Sequence, residues 1–280
     1  MKRIVSSSFN TADEVINAML LLENPEQRDL LMGFFKTGEG QYGEGDQFLG
    51  LKVPETRSIA QSAKDLSLLE LQKLLESPLH EVRLCAFLIL VDQFECNLMD
   101  KDGGTEKKSH FLNSCSINDQ ECMLRRDEIV DFYLKNASRA NNWDLVDMSC
   151  YKIIGKWLLS PSKYTDKEKT AFMDSLAQSD NLWERRISMV STLATLMSGD
   201  SSYTWKYAVY HLRMFKNKPY WSHDLMHKAV GWMLREMGKR CGMDILRDFL
   251  KEYVKIMPRT TLRYAIERMN VDERKYWMHY

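Results

Sequence analysis

Trp143 and Asp147 lie four residues apart in Asn141-Asn142-Trp143-Asp144-Leu145-Val146-Asp147, at the front of a strongly helical run. That interval places a large aromatic and a carboxylate on one helical face. Asn142 or Asn141 supplies the N-cap, and Leu145, Val146, Ile153, Ile154 and Leu158 make the opposite, apolar face. Two later helical stretches carry matching groups. Asn181-Leu182-Trp183-Glu184-Arg185-Arg186 offers Arg186, and the run from His227 to Glu236 offers Trp232. Two tryptophans flanking a carboxylate, with an arginine nearby, could hold a sugar ring and a phosphate. The plain alternative makes Trp143 a core residue and Asp144 and Asp147 ordinary first-turn acids favoured by the helix dipole.

These residues need helices to position them, and the chain reads as helices throughout. Between Thr11 and Phe35 the apolar residues recur at helical intervals, interrupted at Asn24-Pro25, which predicts two helices. A glycine-rich loop over residues 38–50 follows, and Pro54 opens a helix through Ile59 and Ala60. Ser67-Leu68-Leu69-Glu70 is a capping-box pattern for a helix from Leu68 to Leu75. From His80 to Phe94 the apolar residues run almost all round, as expected of a helix lying between layers. Residues 97–120 break the rhythm and read as a loop or an extension of a repeat. Helices facing inward begin near Asn142, Asn181, Asp224 and Pro258, a recurrence of roughly 35 to 45 residues that marks HEAT-type helical repeats. The expected fold is an all-α, right-handed α-solenoid, one domain over residues 1–280, with the chemistry-bearing helices neighbours on its concave face.

Charge and composition narrow the function. Trp205 to Tyr280 holds sixteen Lys and Arg against eight Asp and Glu, a balance of +8 that leaves −8 for residues 1–204. A basic C-terminal third on a neutral chain suits phosphate binding. The six cysteines have no CxxC spacing, which argues against a zinc site or a disulfide framework. His223 and His227 do not form the His-Glu-x-x-His motif, and no metal or other cofactor is expected. The glycine-rich loop lacks the Gly-Lys-Ser/Thr of a phosphate-binding loop. With no apolar run long enough for a signal peptide or membrane span, the chain reads as cytoplasmic.

Three elements then carry a resemblance: Trp-Asp-x-Val-Asp at 143–147, Trp-x-x-Arg at 183–186, and Lys-Ala-x-Gly-Trp-x-Leu-Arg-Glu at 228–236. In order and approximate spacing they are similar to the AlkD-like family of DNA alkylation repair glycosylases, over nearly the whole chain. Tyr42-Gly43-Glu44-Gly45-Asp46 through Val53-Pro54 also looks like one branch of that family, whereas the segment around 97–120 departs from its shorter pattern. The resemblance implies excision of cationic N3- and N7-alkylated purines from double-stranded DNA by a monomer that needs no obligate protein partner and does not enclose the base in a pocket. It places Asp147, Trp143 and Trp232 at the lesion and Arg186 on the DNA backbone. Lys156, Lys216, Lys218, Lys228, Arg259 and Arg263 are further candidate phosphate contacts. Two other functions fit a helical-repeat chain: a noncatalytic binder of branched or distorted DNA, and a protein-binding scaffold. The intact set of Trp143, Asp147, Arg186 and Trp232 speaks against the first, and the basic C-terminal third against the second.

Overall fold

The computed structural model describes residues 8–96 and 119–280, and the chain forms two compact units, Met1–Ser149 and Cys150–Tyr280. Among the described residues the structure is helical and contains no strand, only an isolated bridge between Gln47 and Leu79. No helix among them is long and apolar enough to cross a membrane.

In the first unit, α1 (Ala12–Leu20) and α2 (Pro25–Phe34) are separated at Asn24, as the periodicity predicts. Thr11 and Glu14 form a reciprocal capping box on α1, and Asn24 Oδ1 accepts from Gln27 N to cap α2. The apolar residues of α2 do not enter the core; none of its residues is buried, and Leu30 and Phe34 stay exposed. Helical spacing says which side chains share a face, not whether a neighbouring element covers that face. α3 (Val53–Ser62) and α4 (Leu68–Leu75) begin where Pro54 and Ser67 foretell. Only half of the expected box on α4 forms. Ser67 Oγ accepts from Glu70 N, while the Glu70 carboxylate accepts from Ala12 N at 2.7 Å and so ties α4 to the start of α1.

α5 (His80–Cys96) is the spine of this unit, packed by α3, α4 and α6 (Asp119–Lys135), with Val82, Cys85, Ile89, Leu90 and Phe94 fully buried. An all-round apolar helix is stable only between covering layers, and α5 has them. Residues 97–118 lie outside the described ones, so the reading of a loop or repeat extension there is not addressed; Asp119 and Gln120 already belong to α6. The glycine-rich segment crosses the start of α5. Glu81 accepts from the backbone amides of Leu49, Gly50 and Leu51 at 2.8 to 3.2 Å. Gly50 is required there twice over: its φ is +88°, and a Cβ would stand 2.1 Å from the Asn24 carbonyl oxygen. The unit closes with α7 (Trp143–Cys150).

The second unit opens on a π-helical turn, Tyr151–Gly155, which the sequence does not announce. It continues through α8 (Lys156–Leu158), α9 (Asp166–Gln178), α10 (Leu182–Val190), α11 (Leu193–Met197), α12 (Ser202–Asn217), α13 (Asp224–Arg240), α14 (Met243–Tyr253), α15 (Arg259–Ala265) and α16 (Val271–Met278). α13 is its centre and packs on α10, α12, α14 and α15. At the α13–α15 crossing a Cβ on Gly231 would lie 2.5 Å from Tyr264 Cβ and 2.6 Å from the Thr261 carbonyl, so only glycine admits the observed approach. The starts of α10, α13 and α15 fall at the expected positions, set by Asn181, His223 and Pro258.

Candidate functional site

In the first unit the site is built on the first turns of α7. Asn142 precedes the helix, and its Oδ1 accepts from Trp143 N at 2.8 Å. Leu145 and Val146 are buried, while Trp143 and Asp147 are half-buried one turn apart, the division of faces that their spacing implies. The Trp143 ring rests on the end of α2. It stacks on Phe35 (5.3 Å between centroids, 29°) and meets Phe34 edge-on at 5.7 Å.

Asp144 departs from the reading of an ordinary first-turn acid. It is 6% exposed, and its Oδ2 lies 2.8 Å from His80 Nε2. The other ring nitrogen of His80 lies 2.8 Å from Asp46 Oδ2, and Arg83 pairs with the remaining Asp46 oxygen. All four side chains are buried. Burial works against a charge on His80, but the carboxylates of Asp144 and Asp46 outweigh it and raise the ring's pKa to about 9. Burial likewise opposes the Asp46 charge, yet the His80 hydrogen bond and the Arg83 guanidinium hold its carboxyl below the usual value. Phe48 stacks on the imidazole at 4.4 Å, and Phe35 tilts over it at 5.0 Å. The glycine-rich loop therefore supplies Asp46 and Phe48 to a buried cluster behind Trp143. Sequence reasoning missed this cluster. Its trace is His80-Glu81-Val82-Arg83, three ionisable residues ahead of the apolar run from Leu84 to Val91.

In the second unit Trp232 is half-buried on α13, a turn beyond the half-buried Lys228, whose Nζ pairs with Asp224 at 2.7 Å. Arg186 on α10 is 5% exposed, and its Nη1 donates to the Leu225 carbonyl at 2.6 Å. It thus fastens α10 to the first turn of the helix that carries Trp232. Its neighbour Arg185 is also buried; it donates to the Ser179 carbonyl and lies 4.6 Å from the Trp221 ring centroid. Lys156 is half-buried, and Lys216, Arg259 and Arg263 are exposed. Lys218 Nζ sits 4.5 Å over the Trp221 ring, and Arg259 Nη1 donates to the Met278 carbonyl. His223 caps α13, its Nδ1 accepting from Leu225 N, and His227 Nε2 lies 2.8 Å from Ser222 Oγ. Trp221 and Trp277 are core residues, and Trp205 packs edge-on against Phe249.

The family model of the DNA alkylation repair enzymes matches residues 15–269. Among solved structures, one described as a predicted DNA alkylation repair enzyme from Enterococcus faecalis superposes with a TM-score of 0.58 at 15% identity, covering 89% of this chain and 97% of that one. At that identity the likeness is one of fold. No curated protein matches the chain.

Proposed function

Since the chain belongs to the DNA alkylation repair enzyme family, and so to alkylation DNA repair, we propose that it is a DNA glycosylase releasing cationic N3- and N7-alkylated purines from duplex DNA. The observation that carries this reading is the placement of Trp143 and Asp147. Both are half-buried on successive turns of α7, while the intervening Leu145 and Val146 are spent on the core.

An alkyl group on N3 or N7 makes the purine a cation and a good leaving group, so the glycosidic bond breaks toward an oxocarbenium-like sugar without a strong general acid. Asp147, ionised beside that sugar, stabilises the developing charge and orients a water toward C1′. Trp143 and Trp232 are the aromatic residues that offer electron-rich faces to a cation, each such contact contributing roughly 0.5 to 2 kcal/mol where water is excluded. Arg186, Lys156, Lys216, Lys218, Lys228, Arg259 and Arg263 serve the DNA backbone, carried on HEAT-like helical repeats. The protein acts as a monomer and leaves the base outside any enclosing pocket.

Release of free 7-methylguanine or 3-methyladenine from methylated duplex DNA tests the proposal. Asp147→Asn keeps the side chain's shape and removes its charge, which costs on the order of 3 kcal/mol, roughly a hundredfold or more in single-turnover rate. Duplex affinity is retained. Asp29→Asn, at an exposed acid of α2, leaves both quantities within about twofold. Equal rates in the parent and Asp147→Asn would remove Asp147 from the chemistry, and binding without release by the parent would leave a noncatalytic DNA binder.

A further inference from the structure

None of the chemistry above uses the His80 cluster, yet two lines of contact run from it to the residues assigned to the lesion. The first is Asp144, which lies between Trp143 and Asp147 in the opening turn of α7 and is held by His80 Nε2 at 2.8 Å. The second is Phe35, which tilts over the His80 ring on one side and stacks on Trp143 on the other. A neutral imidazole has one N–H; the protonated ring has two. With a carboxylate oxygen 2.8 Å from each nitrogen, both contacts are hydrogen bonds to ionised carboxylates only when His80 is the imidazolium. Counting Arg83, the two cations and two anions balance, which is the condition for burying such a group without a stray charge.

We propose that His80, clamped as an imidazolium between Asp46 and Asp144, is a positioning residue that fixes the first turn of α7 and the Trp143 ring for the excision step. The inference rests on the glycosylase reading for its reaction, and on this cluster alone for its geometry. The groups facing His80 come from several elements: Asp46 and Phe48 from the glycine-rich loop, Asp144 from α7, and Phe35 from the end of α2. On α5 itself Arg83 completes Asp46, and Glu81 is occupied by the loop amides. The Asp46–Arg83 end meets a cleft of about 320 Å³ whose further charged groups are Glu44, Glu76 and Arg139. Deprotonation of His80 would leave two buried carboxylates with one ring proton between them. The first turn of α7 would then lose its anchor as the pH passes about 9.

The test uses the full chain and three readouts. In the parent, long-range ¹⁵N–¹H spectra at neutral pH are expected to show His80 with protons on both nitrogens. His80→Gln is expected to bind methylated duplex within about threefold of the parent while its single-turnover release of 7-methylguanine falls tenfold or more, the scale of loss that follows when a reacting group is displaced by about an ångström. The Trp143 contribution to fluorescence, taken against Trp143→Phe, should change as the parent passes about pH 9 and should not change in His80→Gln. Fluorescence is the better alkaline probe because 7-methylguanine itself opens its ring in base. A singly protonated His80 at neutral pH, an unchanged release rate in His80→Gln, or equal losses in rate and affinity would each overturn the proposal. If the parent released no alkylpurine, the glycosylase reading would fail; the imidazole and Trp143 measurements need no substrate and would still decide whether His80 holds Trp143. Should His80→Gln not fold, the parent spectrum and the Asp144→Asn variant, which keeps the imidazole and removes one of its two carboxylates, read by the same rate-to-affinity comparison, decide it.

Discussion

Among the described residues each unit buries one histidine, and the two are kept in opposite charge states. His80, in the first unit, has a carboxylate on each ring nitrogen and is held protonated to about pH 9. His211, in the second, is packed between Tyr210 and Phe215 with Ser188 Oγ 3.0 Å from its Nε2, and burial, assisted by the nearby Arg185 charge, lowers its pKa to about 3. Burial discharges an imidazole unless an opposite charge is buried with it. The difference shows how the two units manage ionisable groups. The first spends acids on a cation at the start of α7, whereas the second ties its buried Arg185 and Arg186 to backbone carbonyls. Charge is therefore tuned beside Trp143 and Asp147, while the His211 ring itself is kept uncharged.

Removing one acid from the charged cluster is the most damaging way to break this contrast. Asp144→Asn leaves His80 with one ionised partner and is expected to destabilise the protein by about 3 kcal/mol, since stripping a buried ion of its partner costs far more than an exposed pair is worth. Asp147→Asn, three residues on and half-buried, is expected to unfold within about 1 kcal/mol of the parent. Chemical denaturation of the two variants measures the gap. Equal losses would mean that Asp144 carries no more of the fold than Asp147 does.

A change of pH separates the units without mutation. The folded pKa of His80 lies above the unfolded value near 6.5, so its contribution is complete below that value and is lost as the pH rises through about 9. Asp46 has a lowered folded pKa, so its share is present above about 3.8 and is lost on acidification. His211 has its folded pKa depressed. Its neutral ring favours the native state above about 6.5, and that advantage disappears as the pH falls toward about 3. Amide exchange should therefore accelerate in α5 on the alkaline side and again below about pH 3.8, and in α10 and α12 on the acid side alone. Identical profiles for the two sets of amides would contradict the assigned charge states.

The sequence revealed what is local and missed what is distant. Asn142, Asn181 and Asp224 mark the starts of α7, α10 and α13, where caps at Asn142, Asn181 and His223 bond to amides one to three residues away. The four-residue interval likewise placed Trp143 and Asp147 on the half-buried side of α7. Nothing local links His80 to Asp46, 34 residues earlier, or to Asp144, 64 residues later. Asp144 and Asp147 look alike in a helical first turn, and it is the position of α5 that buries Asp144 against His80. For the same reason nothing local shows that Arg186, expected on the DNA backbone, also bonds the Leu225 carbonyl, 39 residues away. The π-helical turn at Tyr151–Gly155 left no mark in residue type or period.

The smallest expected effect lies at the uncharged histidine. Ser188 Oγ is 2.7 Å from the Arg185 carbonyl and has one proton, which it donates there. It must therefore accept from His211, which fixes the proton on Nε2 and leaves Nδ1 as the bare ring nitrogen, buried without a hydrogen-bond partner. Ser188→Ala removes one neutral acceptor and one neutral donor, at a cost of about 1 kcal/mol to the fold, well under half of that expected for Asp144→Asn. The imidazole then has no partner on either nitrogen but gains no charge, so the loss should be the same at pH values well above the unfolded histidine pKa. Denaturation of Ser188→Ala, with ¹⁵N shifts to identify the tautomer, checks both points. A proton found on Nδ1, or a loss as large as that of Asp144→Asn, would mean that the second unit's histidine depends on polar partners as strongly as the first's, and the contrast between the units would not hold.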